Sequence, residues 1–142
     1  HNRKSDIEFR WDEAISFEGN TGPYLQYTYA RLRSILRKSK NLGPQHLNEF
    51  EGQISENERW LLVRLSRFDE ALEDALLDYM PNILVNYLYA LAQKANEFYH
   101  SHPVLQESKE EKKQFRLMLI SKISEILKRG LYLLGIESPE EM

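Results

Sequence analysis

Phe17-Glu18-Gly19-Asn20-Thr21-Gly22-Pro23-Tyr24-Leu25-Gln26-Tyr27-Thr28-Tyr29-Ala30-Arg31-Leu32-Arg33 is the stretch on which the fold turns, because an irregular approach becomes a helix within a few residues. Thr21 or Gly22 can cap that helix, and Pro23 suits its first position, where a missing N–H leaves nothing unsatisfied. Leu25, Tyr29, Leu32 and Leu36 then recur at offsets of four, three and four, which draws one apolar stripe. On the same helical wheel Tyr24, Tyr27, Arg31, Ser34 and Lys38 fall together on roughly the opposite side. One buried face and one face of two phenols, a guanidinium and an ammonium suit flat, negatively charged partners with stackable surfaces. Unpaired nucleic-acid bases are the obvious case.

Outward from this helix the chain reads as further helices. The first is predicted to run from about Pro23 to Lys40, where Asn41-Leu42-Gly43-Pro44 breaks it. Upstream, residues 1–20 read as an extended lead-in with a short helix near Trp11–Phe17. A second helix opens on Ser55-Glu56-Asn57-Glu58, a capping box, and carries the stripe Leu61, Leu65, Phe68, Leu72, Leu76 and Tyr79. Pro81 ends it and starts a third, with Leu84, Leu88, Leu91, Ala95 and Phe98 inward, up to the turn His100-Ser101-His102-Pro103. Ser108 and Glu111 offer a second capping box to a fourth helix striped by Phe115, Leu119, Ile123 and Ile126, which Gly130 is expected to kink or end. No strand-like alternation of useful length occurs. Four amphipathic helices on short loops predict an all-α, antiparallel helical bundle.

Composition narrows the function. At 142 residues, 42% hydrophobic and 29% charged, the chain is one ordinary globular domain by the length prior. It has no cysteine, which excludes disulfides and thiolate metal sites and fits a cytoplasmic location. No apolar run approaches the roughly 18 residues of a membrane span, and no signal peptide is visible, so no membrane partner is expected. The net charge of −3 argues against a general nucleic-acid binder, yet its distribution is uneven. Residues 1–40 carry +3, 41–106 carry −6, 107–129 carry +3 and 130–142 carry −3. A phosphate backbone would be steered to the first and last helices and away from the middle, with Arg31, Arg33, Arg37 and Lys38 as the natural contacts. Charge alone leaves open a solvated basic face with no ligand.

The opening stretch also resembles the segment that begins the C-terminal anticodon-binding (DALR-type) domain of arginyl-tRNA synthetases, class I enzymes whose extra helical domain grips the tRNA anticodon loop. Arg3-Lys4-Ser5-Asp6-Ile7 with Trp11-Asp12 is similar to the end of that family's catalytic region, and Leu133-Leu134-Gly135-Ile136-Glu137-Ser138-Pro139-Glu140-Glu141-Met142 is similar to its usual C-terminus. The resemblance implies that residues 1–20 end a catalytic or linker region and that residues 21–142 form the anticodon-binding domain. The chain, which opens on His1, then reads as a fragment of a longer enzyme. Such a parent attaches arginine to its tRNA using ATP and Mg2+. The implied partners are the anticodon loop of arginine tRNA and the N-terminal catalytic domain. The two class I signatures, His-Ile-Gly-His-like and Lys-Met-Ser-Lys-like, are absent, and Arg3-Lys4-Ser5 lacks the spacing of the second. The fragment alone is therefore expected to be catalytically silent and to hold no cofactor.

The resemblance assigns anticodon contact to Tyr27 and Arg31; read from the residues alone, they are equally a surface cation–π pair worth about 0.5–1 kcal/mol. Tyr24 either joins them or packs on the lead-in, and Lys38 extends the basic run. Tyr99, just before the His-Ser-His-Pro turn, matches a family aromatic that faces the anticodon; the alternative is a half-buried tyrosine with its hydroxyl in water. Met142 matches a family methionine near the anticodon, where a thioether can lie on a base, against the default of a frayed end. His100 and His102 are too few for a zinc site. Glu110-Glu111-Lys112-Lys113 reads as a solvated first turn, and Trp11 and Trp60 as core or inter-domain anchors. All arginine codons require cytosine as the middle anticodon base, so Arg31 is expected at its acceptor edge, with Tyr27 or Tyr99 stacked on the ring. Two alternatives are the helical domain of a cysteinyl or methionyl enzyme, against which Gly19–Arg33 argues, and a helical protein-interaction adaptor. The adaptor would expose an apolar stripe where this helix is polar and cationic.

Overall fold

The computed structural model describes residues 8–39 and 50–142. Arg3-Lys4-Ser5 and the break at Asn41-Leu42-Gly43-Pro44 lie outside them. Among the described residues there are six helices and no strand: α1 (Trp11–Ala14), α2 (Gly22–Lys38), α3 (Glu56–Ser66), α4 (Phe68–Leu77), α5 (Pro81–Ser101) and α6 (Glu110–Leu133). The all-α bundle is as expected. Its core takes Leu25, Leu32 and Tyr29 from α2, Leu61 from α3, Leu88, Leu91 and Phe98 from α5, and Ile120, Ile123 and Leu127 from α6. No helix among the described residues is long and apolar enough to cross a membrane.

Thr21 caps α2, its Oγ1 accepting from the Tyr24 N–H at 3.2 Å. Gly22 takes the first helical position, so Pro23 sits second, where its lack of an N–H is equally harmless. The capping box at α3 forms as read: Ser55 Oγ accepts from the Glu58 N–H at 3.2 Å, and the Ser55 N–H donates to Glu58 Oε2 at 2.7 Å.

Five features depart from the sequence reading. The predicted second helix is two, because the chain breaks at Arg67. There the Arg64 carbonyl, which an unbroken helix would offer to the Phe68 N–H, accepts instead from the Tyr87 hydroxyl at 2.6 Å and the Arg67 N–H at 3.1 Å. The break turns the apolar face of α4, so Phe68 and Ala71 are buried, Leu72 and Ala75 pack at the core's edge, and Leu76 and Tyr79 point to solvent.

The second capping box does not form. Lys109, not Ser108, precedes α6, and its N–H is met by the Glu107 carboxylate at 3.2 Å. Gly130 does not end α6, which continues to Leu133. It permits close packing instead, for a Cβ there would lie 2.5 Å from both methyl carbons of Leu88. Trp11 and Trp60 are exposed, which overturns the core half of their reading and not the inter-domain half; Trp60 lies beneath the Arg64 guanidinium at 5.9 Å.

Lys112 also leaves the solvated turn expected of it and reaches Glu58 at 2.9 Å. Glu58 is fully buried and also accepts from Arg116 Nε at 2.9 Å, while Arg116 Nη1 donates to Glu107 at 2.8 Å. Burial alone pushes the Glu58 carboxyl up. The Ser55 N–H, Arg116 and Lys112 outweigh that and hold it down at about 2. This network ties the start of α3 to α6 and to the turn before it.

Candidate nucleic-acid interface

Three faces of α2 do three different things. Leu25, Thr28, Leu32 and Ile35 enter the core. Gln26, Tyr29, Arg33 and Arg37 meet the last residues of the chain. Tyr27, Arg31, Ser34 and Lys38 face outward, Lys38 exposed at the C-terminal turn where a cation also suits the helix dipole.

The second face exists because α6 ends in a reversal. Gly135 is left-handed (φ 71°), the Ile136 N–H donates to the Leu131 carbonyl at 2.9 Å, and the Gly135 N–H donates to that of Tyr132 at 3.0 Å. This is a Schellman stop, and it sends residues 136–142 back along α2. Gln26 donates to the Glu137 carbonyl at 2.8 Å. Further along, Glu140 accepts from the Tyr29 hydroxyl at 2.8 Å and from Arg33 Nε at 2.7 Å, and Arg37 donates to the Glu140 carbonyl at 2.9 Å. Arg37 also lies 3.3 Å from the Glu141 carboxylate, and Lys128 lies 4.0 Å from that of Glu140. The Arg33 hydrogen bond first, then that of Tyr29, keeps the Glu140 carboxyl below its ordinary value. Burial first, then the bond to Glu140, pushes the Tyr29 hydroxyl up to about 12.

Between the outward face and this tail lies a cleft of about 400 Å³ lined by Tyr27, Ala30, Arg31, Ser34, Arg37, Glu141 and Met142. Tyr27 is 42% exposed, and its ring meets the edge of Phe17 at 6.2 Å. The Arg31 guanidinium lies over the Tyr99 ring, 4.9 Å from its centroid. Stacking uses the flat face of a guanidinium and leaves its N–H edge free to donate. Of the six residues read from sequence, the structure brings Tyr27, Arg31 and Met142 to one cleft and sets half-buried Tyr99 against Arg31.

Tyr24 and Lys38 do not line the cleft. Lys38 lies further along the same face. Tyr24 packs inward rather than outward, and onto α5 rather than the lead-in: its ring is 5.3 Å from that of Tyr89, and its hydroxyl accepts from Asn96 at 3.1 Å. Arg33 and Arg37, read as phosphate contacts, are instead paired with the tail. His102 closes the end of α5, its ring 4.9 Å from Phe98, and His100 is exposed.

Residues 25–142 match the DALR anticodon binding domain family, most of the chain's length. The chain belongs to that family. The arginine–tRNA ligase of Parabacteroides distasonis is 42% identical over 142 residues, covering 98% of this chain and 24% of that protein. That of Ignicoccus hospitalis is 39% identical over 136 residues, covering 96% of this chain and 21% of that protein. The solved Thermus thermophilus arginyl-tRNA synthetase has the same fold with a TM-score of 0.87 at 40% identity, over 98% of this chain and 24% of that one. The chain thus spans about a quarter of the length of the relatives it matches.

In this DALR domain the contribution that sequence reasoning missed is the tail clamp centred on Glu140. A signal for it was available. The last thirteen residues carry −3, and Arg33 and Arg37 stand one turn apart on a helix that otherwise has no acid to pair with them. Charge complementarity between the two ends of the domain is the physical content of that pattern.

Proposed function

We propose that this anticodon-binding domain reads the middle cytosine of the arginine tRNA anticodon on behalf of an arginine–tRNA ligase. The observation that carries the proposal is Arg31, held over Tyr99, in the lining of a cleft it shares with Tyr27 and Met142. A guanidinium whose face is already stacked loses less rotamer freedom when a base arrives. Its donors suit the O2 and N3 acceptors of cytosine, and Tyr27, with its ring partly free, offers the base a stacking surface. Lys38 offers a phosphate contact along the same face.

The parent would activate arginine with ATP and Mg2+ on a catalytic domain that precedes this one, with residues 1–20 ending that region, and would work in the cytoplasm. The domain's part is to hold the anticodon loop while the acceptor end reaches the distant active site. The test is binding of the 142-residue chain to an arginine anticodon stem-loop beside a random single-stranded RNA of equal length. Clear preference for the stem-loop is expected. Equal affinity would overturn the assignment.

A further inference from the structure

The C-terminal tail does two things at once. Glu140 pins it to α2 through Tyr29, Arg33 and Arg37, so that Glu141 and Met142 close one side of the cleft beside Tyr27 and Arg31. The same contacts occupy Arg33 and Arg37, two of the five cations in residues 31–40. Both arginines remain about two-fifths exposed, so they would be open to phosphate if the tail left. From Gln26 to Arg37 the helix rises roughly 16 Å, and the segment from Glu137 to Glu141, which meets both ends of that run, reaches at most roughly 14 Å between its own ends. The tail therefore tracks that length of α2 as a strap.

We propose that Glu140 is a specificity-determining positioning residue: it sets the tail as the wall of the base-reading cleft and withdraws Arg33 and Arg37 from sequence-blind phosphate binding. The inference rests on the reading of the cleft as an anticodon site. Electrostatic contacts to phosphate raise affinity for every RNA alike, whereas base contacts discriminate. A tail that masks two cations and shapes the cleft improves discrimination from both directions. A residue that served only the fold would not move these two quantities oppositely.

The experiment measures binding of the 142-residue chain to the arginine stem-loop, to a stem-loop with the middle cytosine replaced, and to an unrelated single-stranded RNA, across a salt series. Glu140→Ala is expected to bind the unrelated RNA roughly tenfold more tightly at 0.1 M salt. Its log–log salt slope should steepen by about 1.4, two contacts at about 0.7 each, while discrimination between the stem-loops falls. Glu140→Gln keeps the hydrogen-bonding shape without the charge and is expected to steepen the slope while keeping most of the discrimination. Adding Arg33→Gln and Arg37→Gln to Glu140→Ala should return the slope to that of the unaltered chain and leave discrimination low.

Glu140→Gln replaces a half-exposed side chain by one of the same shape, so it keeps the test decisive if Glu140→Ala does not fold. If the unaltered chain discriminates between the stem-loops and both Glu140 variants match it in slope and discrimination, the inference is wrong. If the unaltered chain does not discriminate, the reading of the cleft itself fails.

Discussion

Glu58 is the strongest test of how the bundle is held together. Glu58→Ala removes a carboxylate with no solvent exposure, leaves the Ser55 N–H without its acceptor and strips Arg116, 7% exposed, of one of its two carboxylate partners. Truncating one member of a buried ion pair costs about 3–5 kcal/mol, because the remaining charge stays desolvated. Proton linkage gives a second route to the magnitude. Holding the carboxyl at about 2 against an ordinary 4.5 corresponds to roughly 3 kcal/mol. The native state binds this proton more weakly than the unfolded chain does. The stabilisation is therefore complete above the ordinary carboxylate range and is lost as pH falls from about 4.5 through about 2. Urea unfolding at pH 7 should place Glu58→Ala about 3–5 kcal/mol below the unaltered chain. Glu58→Gln should fall between them, and both variants should lose much of the acid sensitivity below pH 4.5. A Glu58→Ala midpoint within experimental error of the unaltered chain, or an unchanged acid profile, would refute this account of the network.

Gly130→Ala should destabilise the chain by up to about 2 kcal/mol in the same assay, since overpacking against fully buried Leu88 outweighs the gain of about 1 kcal/mol in helix propensity. Tyr79→Gly should raise stability by about 1 kcal/mol, because Tyr79 holds a left-handed φ of 50° at the end of α4, where glycine is unstrained. Leu32→Ala should cost roughly 2–5 kcal/mol of stability through a core cavity. Tyr27→Ala should stay within about 0.5 kcal/mol in folding, yet weaken stem-loop binding by about 1–3 kcal/mol.

The helix faces were legible wherever local chemistry decided them. Thr21 and the Ser55–Glu58 box act within a few residues of themselves, and the stripes of α2, α5 and α6 follow a period that tertiary contacts do not override. What escaped the sequence depends on partners far along the chain. The break at Arg67 needs the Tyr87 hydroxyl, twenty-three residues from Arg64. The change of face in α4 follows from it. Gly130 looks like a helix breaker until Leu88 stands against it, and Lys112 looks solvated until α3 brings Glu58 within reach. On the outward side of α2, a shared helical face accounts for Tyr27, Arg31 and Lys38, but the wheel placed Tyr24 outward when α5 draws it in. The pairing of Arg33 and Arg37 with a tail more than a hundred residues away lay beyond any local pattern.

The most direct measurement is the discrimination of the 142-residue chain, and of its Arg31→Ala variant, between an arginine anticodon stem-loop and the same stem-loop with its middle cytosine replaced. The unaltered chain should prefer cytosine by about 1–3 kcal/mol, and Arg31→Ala should lose most of that preference while still folding. Discrimination that survives Arg31→Ala undiminished would contradict the claim that this guanidinium reads the base.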